Sequence, residues 1–293
     1  MDLSIIVVSF NTKEITRKCL LSLKNNFKKY PLRYEIIVID NSSNDGSKEM
    51  LSDLKKNWSN LKFFLSKKNL GYGKANNLGV SKSKGKYILY LNSDAIVSDI
   101  DFSDIISLFE NHKNIGALTV KVLLPNGNID PASHRGFPTL WHSLCYFLGL
   151  EKLSAKTPFI NRLFGGYHLS YMDLNTIHEI DAGTGAFFFL RKKTVEKIGG
   201  FDKDFFMYGE DLEMAYQIKN MGLQIYYYPL WEVLHLKYSS GFKTKDKKIK
   251  LNTRFHFYKS MKIFYKKHYA EKNFWLINEM VYLFIDLKRK ISK

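Results

Sequence analysis

The sequence predicts an α/β fold around a parallel, doubly wound sheet, on three observations. Short apolar runs alternate with helical stretches through the first half of the chain, polar turn-rich clusters follow the strands, and 45% of the 293 residues are hydrophobic with only 6 Pro. In such a fold the ligand-binding residues gather at the carboxyl ends of the strands. A chain of this length buries roughly three-quarters of the surface its unfolded state exposes, so staples are unnecessary. Cys19 and Cys145 lie far apart with no pairing or zinc pattern, which fits a reducing compartment.

Residues 3–9 form a continuous apolar strand, and Asn11 with Glu14 three positions on reads as the capping box of a helix reaching Phe27. Residues 34–39 give a second strand, followed by the turn cluster 40–47 and a helix with Met50, Leu51, Leu54 and Trp58 on one face. Strands at 61–65 and 86–91 flank a short helix at 74–80, and a helix at 102–112 precedes a strand at 115–124. Residues 125–179 mix Gly, Pro, His and aromatics, with one clear helical patch at 140–150; long irregular stretches of this kind are usually functional. A strand at 186–190, helices at 193–198 and 211–221, and a strand at 224–228 complete an α/β domain of residues 1–240, divided into halves 1–124 and 125–240. Two basic amphipathic helices, 252–269 and 274–288, form a C-terminal extension over 241–293.

The formal net charge is +17, of which +11 falls on residues 243–293. That segment also carries ten aromatic residues, more than a solvated charged tail needs, so it reads as structured. No run of 18 apolar residues occurs, and the apolar opening lacks the basic flank and length of a signal peptide. The expected location is cytoplasmic.

Several strand-end clusters carry chemistry, each with a plainer reading beside it. Asp40-Asn41-Ser42-Ser43 can be an αβ turn with an Asx cap, or it can aim Asp40 at a ring N–H of a base. Asn92-Ser93-Asp94 follows a wholly apolar strand; Asp94 can cap a helix, or it can hold a hard divalent cation that neutralises a diphosphate. Glu210-Asp211 opens a helix, where acids are ordinary dipole partners. The aromatic run before it would desolvate a neighbouring carboxylate and raise its proton affinity, as a general base requires. His235 is a core histidine or a metal ligand meeting Asp94 in space. Gly71-Tyr72-Gly73 begins like a dinucleotide fingerprint but has Asn76 at the sixth position and follows the third strand, and 79–86 misses the P-loop spacing.

In their order and spacing, these residues resemble the family 2 glycosyltransferases, inverting enzymes of the type A fold. The resemblance rests on Ile6-Val7-Val8-Ser9-Phe10-Asn11, Val38-Ile39-Asp40-Asn41-Ser42-Ser43, Asn69 to Gly73 with Asn76 to Gly79, Leu91-Asn92-Ser93-Asp94, Gly183 to Ala186, and Gly209-Glu210-Asp211-Leu212. Arg135-Gly136-Phe137-Pro138-Thr139 adds similarity to the rhamnosyltransferase-like branch. The resemblance implies one catalytic domain with a mixed, mostly parallel central sheet. It implies that Ser9, Asn11 and Asp40 line the base of a nucleotide diphosphate sugar, with Gly71, Asn76, Asn92 and Ser93 along the donor. Asp94, with His235, would bind Mg²⁺ or Mn²⁺; Asp211 would be the catalytic base. Gly183, Thr184, Gly185, Glu210 and Arg135 would border the sugar and acceptor. Asn92 stands where many relatives have Asp, leaving one carboxylate in that motif.

The acceptor expected on this reading is a glycan or polyprenyl-linked saccharide. A nucleotidyltransferase of related fold would also use a strand-end acid and metal, and a basic aromatic surface could bind nucleic acid; the basic segment lies outside the α/β region and no nucleic-acid motif accompanies it, so no nucleic-acid partner is expected. The apolar positions of the C-terminal helices, Phe257, Met261, Phe264 and His268, then Phe274, Ile277, Val281 and Phe284, would pack on the catalytic domain or a second copy in a homodimer, while the Lys-rich face meets an anionic membrane surface.

Overall fold

Strands buried on both faces have no polar side to show, and their alternate residues must feed two separate cores. The computed structural model describes residues 1–237 and 247–291, the side chains of Lys248 and Ile249 excepted. The boundary expected near Ser240 lies outside the described residues. In chain order the elements are β1 (Leu3–Ser9), α1 (Lys13–Lys29), β2 (Tyr34–Asp40), α2 (Ser47–Lys56), β3 (Leu61–Leu65), α3 (Tyr72–Ser81), β4 (Tyr87–Asn92), β5 (Ala95–Val97), α4 (Phe102–Asn111) and β6 (Ile115–Leu123). They continue with α5 (Leu140–Phe147), α6 (Leu150–Ser154), α7 (Pro158–Phe164), β7 (His178–Ile180), β8 (Phe187–Arg191), α8 (Lys192–Ile198), α9 (Glu210–Asn220), β9 (Gln224–His235), α10 (Lys247–His268) and α11 (Trp275–Ile291).

The strands run in the order β3-β2-β1-β4-β8-β6-β9-β5, with β7 also paired to β9. β3, β2, β1 and β4 are parallel, β8 is antiparallel to β4 and β6, and β6 is parallel to β9, so the sheet is mixed and mostly parallel. Ile5 and Val7 of β1 and Phe187 and Phe189 of β8 pack into one core with Leu20 and Leu23 of α1 and Phe109 of α4. Ile6 and Phe188 point the other way, into a core closed by Ala75 of α3 and by Met214 and Ile218 of α9.

β5, α7 and β7 arise where the sequence predicts no element, and three predicted elements take a different form. Helix α1 begins at Lys13 behind Thr12, and Asn11 does not cap it, because Asn11 adopts φ 52° and turns its amide to another loop; the Lys13 N–H donates instead to Asp45 Oδ2 at 2.8 Å. Left-handed backbone is a conformation Asn tolerates better than most residues. Strand β9 continues past Tyr228: the register with β6 slips between Val120 and Lys121, which lets Pro229 and its neighbours bulge while pairing resumes at Glu232. The helical patch at 140–150 breaks at Gly149, φ 74°, into α5 and α6, and α7 follows with Pro158 in its first turn.

The C-terminal helices differ from each other. α10 lies on the catalytic region, with Tyr258, Phe264 and Tyr265 buried and Phe206 stacked on His256 at 4.5 Å. His268 Nε2 and Glu213 Oε2 of α9 are in buried hydrogen-bond contact at 2.6 Å. α11 instead leaves most of its apolar residues exposed. Among the described residues, no helix is long and apolar enough to cross a membrane.

Phe189 is wholly buried between Tyr87 and Phe109, with ring centroids 5.5 and 5.2 Å away. Phe189→Ala should therefore destabilise the protein by about 3–5 kcal/mol in urea unfolding. A loss under about 1 kcal/mol would show that the two aromatic neighbours do not depend on it.

Candidate active site

The carboxyl ends of β1, β2 and β4 form the floor of the site. Ser9 and Asp40 are register partners at the ends of β1 and β2. Asp40 is buried, and one carboxylate oxygen accepts the Ser43 N–H at 3.0 Å, the Asx turn expected of this cluster. Its other oxygen is buried without a hydrogen-bond partner. Such an atom costs roughly 1–3 kcal/mol unless something donates to it. Asn11 joins the same floor: its N–H donates to Ser43 Oγ and its side-chain oxygen accepts from the Asn44 N–H, each at 2.9 Å.

Other expected donor contacts are turned inward. The Ser9 hydroxyl is fully buried, 3.0 Å from Thr16 Oγ1 and 3.2 Å from Thr12 Oγ1, so it fastens β1 to α1. Asn76 is buried in α3 and donates to the Tyr72 carbonyl at 3.0 Å. Gly71 has φ 80°, and a Cβ there would meet the Phe206 carbonyl oxygen, with the Phe206 ring at 2.8 Å. That glycine serves the contact between its loop and the segment before α9. Asn41 completes the link by accepting the Leu70 N–H at 2.8 Å and donating to Asn69 at 3.0 Å.

Sheet register explains how Asp94 meets His235. β5 pairs with β9 so that Ala95 lies opposite His235, and the Leu236 N–H donates to the Asp94 carbonyl at 2.9 Å. His235 Nε2 then lies 3.2 Å from Asp94 Oδ1 and 3.3 Å from the Asn92 amide nitrogen. On the other side of the ring, Nδ1 lies 3.1 Å from Asp130 Oδ2, and Lys237 donates to Asp130 Oδ1 at 2.9 Å. Burial opposes a charge on His235, but the bonds to Asp130 and Asp94 outweigh it and raise its pKa to about 9. Asp130 was missed in the sequence reading; its one signal there is a lone acid before Pro131 after a Gly turn. Among the described residues no three His, Cys, Asp or Glu side chains form a complete metal cage. With the Nε2 proton displaced, an imidazole whose far nitrogen is held by a second carboxylate, set beside Asp94, fits a divalent cation that takes its remaining ligands from substrate and water.

The third group surrounds α9. Arg135 pairs with Ala182 through reciprocal backbone bonds of 2.9 Å. Its guanidinium donates to the Gly183 carbonyl at 2.6 Å and to Asp211 Oδ2 at 2.8 Å. Asp211 Oδ1 accepts the Leu212 N–H at 2.8 Å. Gly185 makes room for Tyr72, whose hydroxyl donates to the Gly185 carbonyl at 3.2 Å and whose N–H bonds Phe206 O at 2.9 Å. The carboxyl that the buried surroundings push upward is Glu210: desolvation and the neighbouring charge of Asp211 raise it to about 8, and its Oε2 is buried without a partner. Thr184 Oγ1 accepts the Ala186 N–H at 3.3 Å.

With this geometry in place, comparison with known proteins is decisive at the family level. The model of glycosyl transferase family 2 matches residues 4–174, more than half of the chain. The chain belongs to that family. The glycosyltransferase is 26% identical over 239 residues to the rhamnosyltransferase WbbL of Escherichia coli strain K12, covering 79% of this chain and 82% of the relative. Two solved structures share its fold. One is TarS 1–349 of S. aureus in complex with UDP-GlcNAc, with a TM-score of 0.56 and 18% identity over 90% of this chain and 65% of that one. The other is the mannosyltransferase PcManGT of Pyrobaculum calidifontis with GDP-Man and Mn²⁺, with a TM-score of 0.56 and 15% identity over 99% of this chain and 70% of that one.

Glu210 supplies a test of the electrostatics. Its folded pKa lies above the ordinary glutamate value of 4.5, so the stability it contributes is full below about pH 4.5 and is lost as pH rises toward 8. Glu210→Gln should therefore flatten the decline in Tm between pH 5 and 8, by on the order of 5 °C across the window. Parallel pH profiles for the two proteins would show that this carboxyl is not buried as described.

Proposed function

We propose that this glycosyltransferase moves a sugar from a nucleoside-diphosphate donor to a hydroxyl of a glycan or polyprenyl-linked saccharide, with inversion at the anomeric carbon. Rhamnose is the favoured sugar, on the similarity to a rhamnosyltransferase. The observation that carries the reading is the buried Asp40 oxygen without a partner, at the strand-end floor that Asn41 ties to the Gly71 loop and that Tyr72 links to Gly185 and to Phe206 ahead of α9. A ring N–H of the donor's base would satisfy that oxygen. Nucleotide-sugar complexes of proteins with the same fold support the donor class.

Asp94 and His235 would hold Mg²⁺ or Mn²⁺, which when bound neutralises charge on the donor's diphosphate. Asp130 would fix the His235 ring by receiving its Nδ1–H. Arg135 orients Asp211 through one hydrogen bond, and each Asp211 oxygen keeps a second lone pair for an acceptor hydroxyl. Asp211 takes that hydroxyl's proton as the oxygen bonds to the anomeric carbon and the bond to the nucleoside diphosphate breaks. One displacement needs one carboxylate as base and no covalent sugar–enzyme bond. The protein would work at the inner membrane face, peripherally bound through its basic C-terminal helices.

Asp211→Asn should lower the transfer rate by about 10²–10⁴-fold while donor binding, read by thermal shift, changes little. Retained turnover would remove Asp211 from the role of base. In a panel of nucleotide sugars, a deoxythymidine or uridine diphosphate sugar with Mn²⁺ should give the largest thermal shift, and Asp94→Ala should abolish the increment that Mn²⁺ adds. An unchanged Mn²⁺ increment in that variant would remove Asp94 from the metal site.

A further inference from the structure

Among the described residues, an exposed apolar surface is divided between two parts of the chain far apart in sequence. On α11, Leu276, Met280, Leu283, Leu287 and Ile291 are between 46% and 72% exposed and recur at the spacing of one helical face. None of the five is among the apolar positions that the sequence assigned to packing. On the α5–α7 excursion from the acceptor half, Phe159 is 89% and Leu153 82% exposed, with Leu144, Leu148 and Leu163 also open. Scattered exposed apolar residues are ordinary, whereas several stripes joined together mark an interaction surface. Here they are joined: Phe147 of α5 meets Phe284 of α11 edge-on at 5.3 Å, and Lys288 lies over both rings. Leu144 and Leu148 on one helix, and Leu283 and Leu287 on the other, are therefore within a turn of this junction.

Charge selects the partner. Between residues 141 and 167 the sole acid is Glu151, which is buried against His168, while Lys152, Lys156 and Arg162 are exposed. The last turn of α11 carries Lys288, Arg289 and Lys290; of its two acids, Glu279 is exposed more than two turns earlier and Asp286 is paired with Lys262. Two copies meeting through this surface would bring basic residues against basic residues. An anionic bilayer answers both features, taking apolar side chains below its headgroups and basic side chains among them.

We propose that α5–α7 and α11 form one composite membrane-docking surface for anionic phospholipid. It rests on the reading of the C-terminal helices as membrane-facing and extends it, because the acceptor half itself would touch the bilayer. An acceptor whose lipid is anchored there would then reach the site from the side that α5–α7 occupy.

The test is flotation of the full chain with vesicles of phosphatidylglycerol and phosphatidylcholine at equal proportions, against phosphatidylcholine alone. The protein should float with the anionic vesicles, and Phe159→Glu with Leu163→Glu should reduce the bound fraction at least tenfold, as should Met280→Glu with Leu283→Glu. All four sites are exposed, so Tm and donor-induced thermal shift should match the parent, which separates this result from failure of the catalytic reading. Loss of flotation in the α11 variant with full retention in the α7 variant would overturn the composite surface and leave C-terminal docking standing. Flotation unchanged in both, or a parent dimer that both variants convert to monomer without losing vesicle binding, would overturn lipid as the partner.

Discussion

Covering both faces of a sheet confines polar chemistry to the places where its strands run out. β1, β2 and β4 are apolar almost throughout because α1, α2 and α4 close one face and α3, α8 and α9 the other. Asp40, Asn92 and Asp94 come at or just after the last residues of such strands, where the backbone leaves the covered layers. The glycosyltransferase site follows from that constraint. A single pleat slip in β1 would exchange the residues feeding the two cores, so the register that holds the cores also fixes the edge where the acids emerge.

Within that edge, partners joined over long sequence distances hold the charged groups. His235 stands between Asp94 and Asp130, and Arg135 bridges Asp211 and the Gly183 carbonyl. Burial makes such charges costly alone and strongly coupled when paired. Glu210 and Asp211 are adjacent in sequence but unequal in surroundings. Glu210 lacks a partner for one oxygen and is driven toward the neutral acid, while Asp211 is in hydrogen-bond contact with a guanidinium. The expectation that an aromatic run would raise a carboxyl here therefore applies to Glu210.

The charge excess divides again in the folded chain. α10 spends its aromatic residues on the catalytic region, through Phe206 and His256 and through the His268–Glu213 pair. α11 meets α5 at Phe147 and keeps an apolar stripe in the open. The two helices thus take different tasks: α10, with eight Lys and Arg and no acid, lies over the segment that precedes α9, while the more apolar α11, with three Lys and Arg and two acids, meets α5.

By itself the sequence determined what depends on near neighbours: the apolar runs of the strands, the helical periods between them, the acids that follow, and with their order the family. Hydrophobic period and turn chemistry act over a few residues and can be read locally. Its local misreadings also have local causes, Asn11 entering left-handed backbone and Pro229 being absorbed in a bulge. Only the tertiary structure decided the partners. Asp130 finds His235 across 105 positions, and Arg135 finds Asp211 across 76. It also showed that Ser9 and Asn76 face inward, that Gly71 accommodates Phe206, and that the open face of α11 differs from the one its spacing implied. Those facts depend on strand order, on register and on what lies across a face, none of which a local pattern of residues contains.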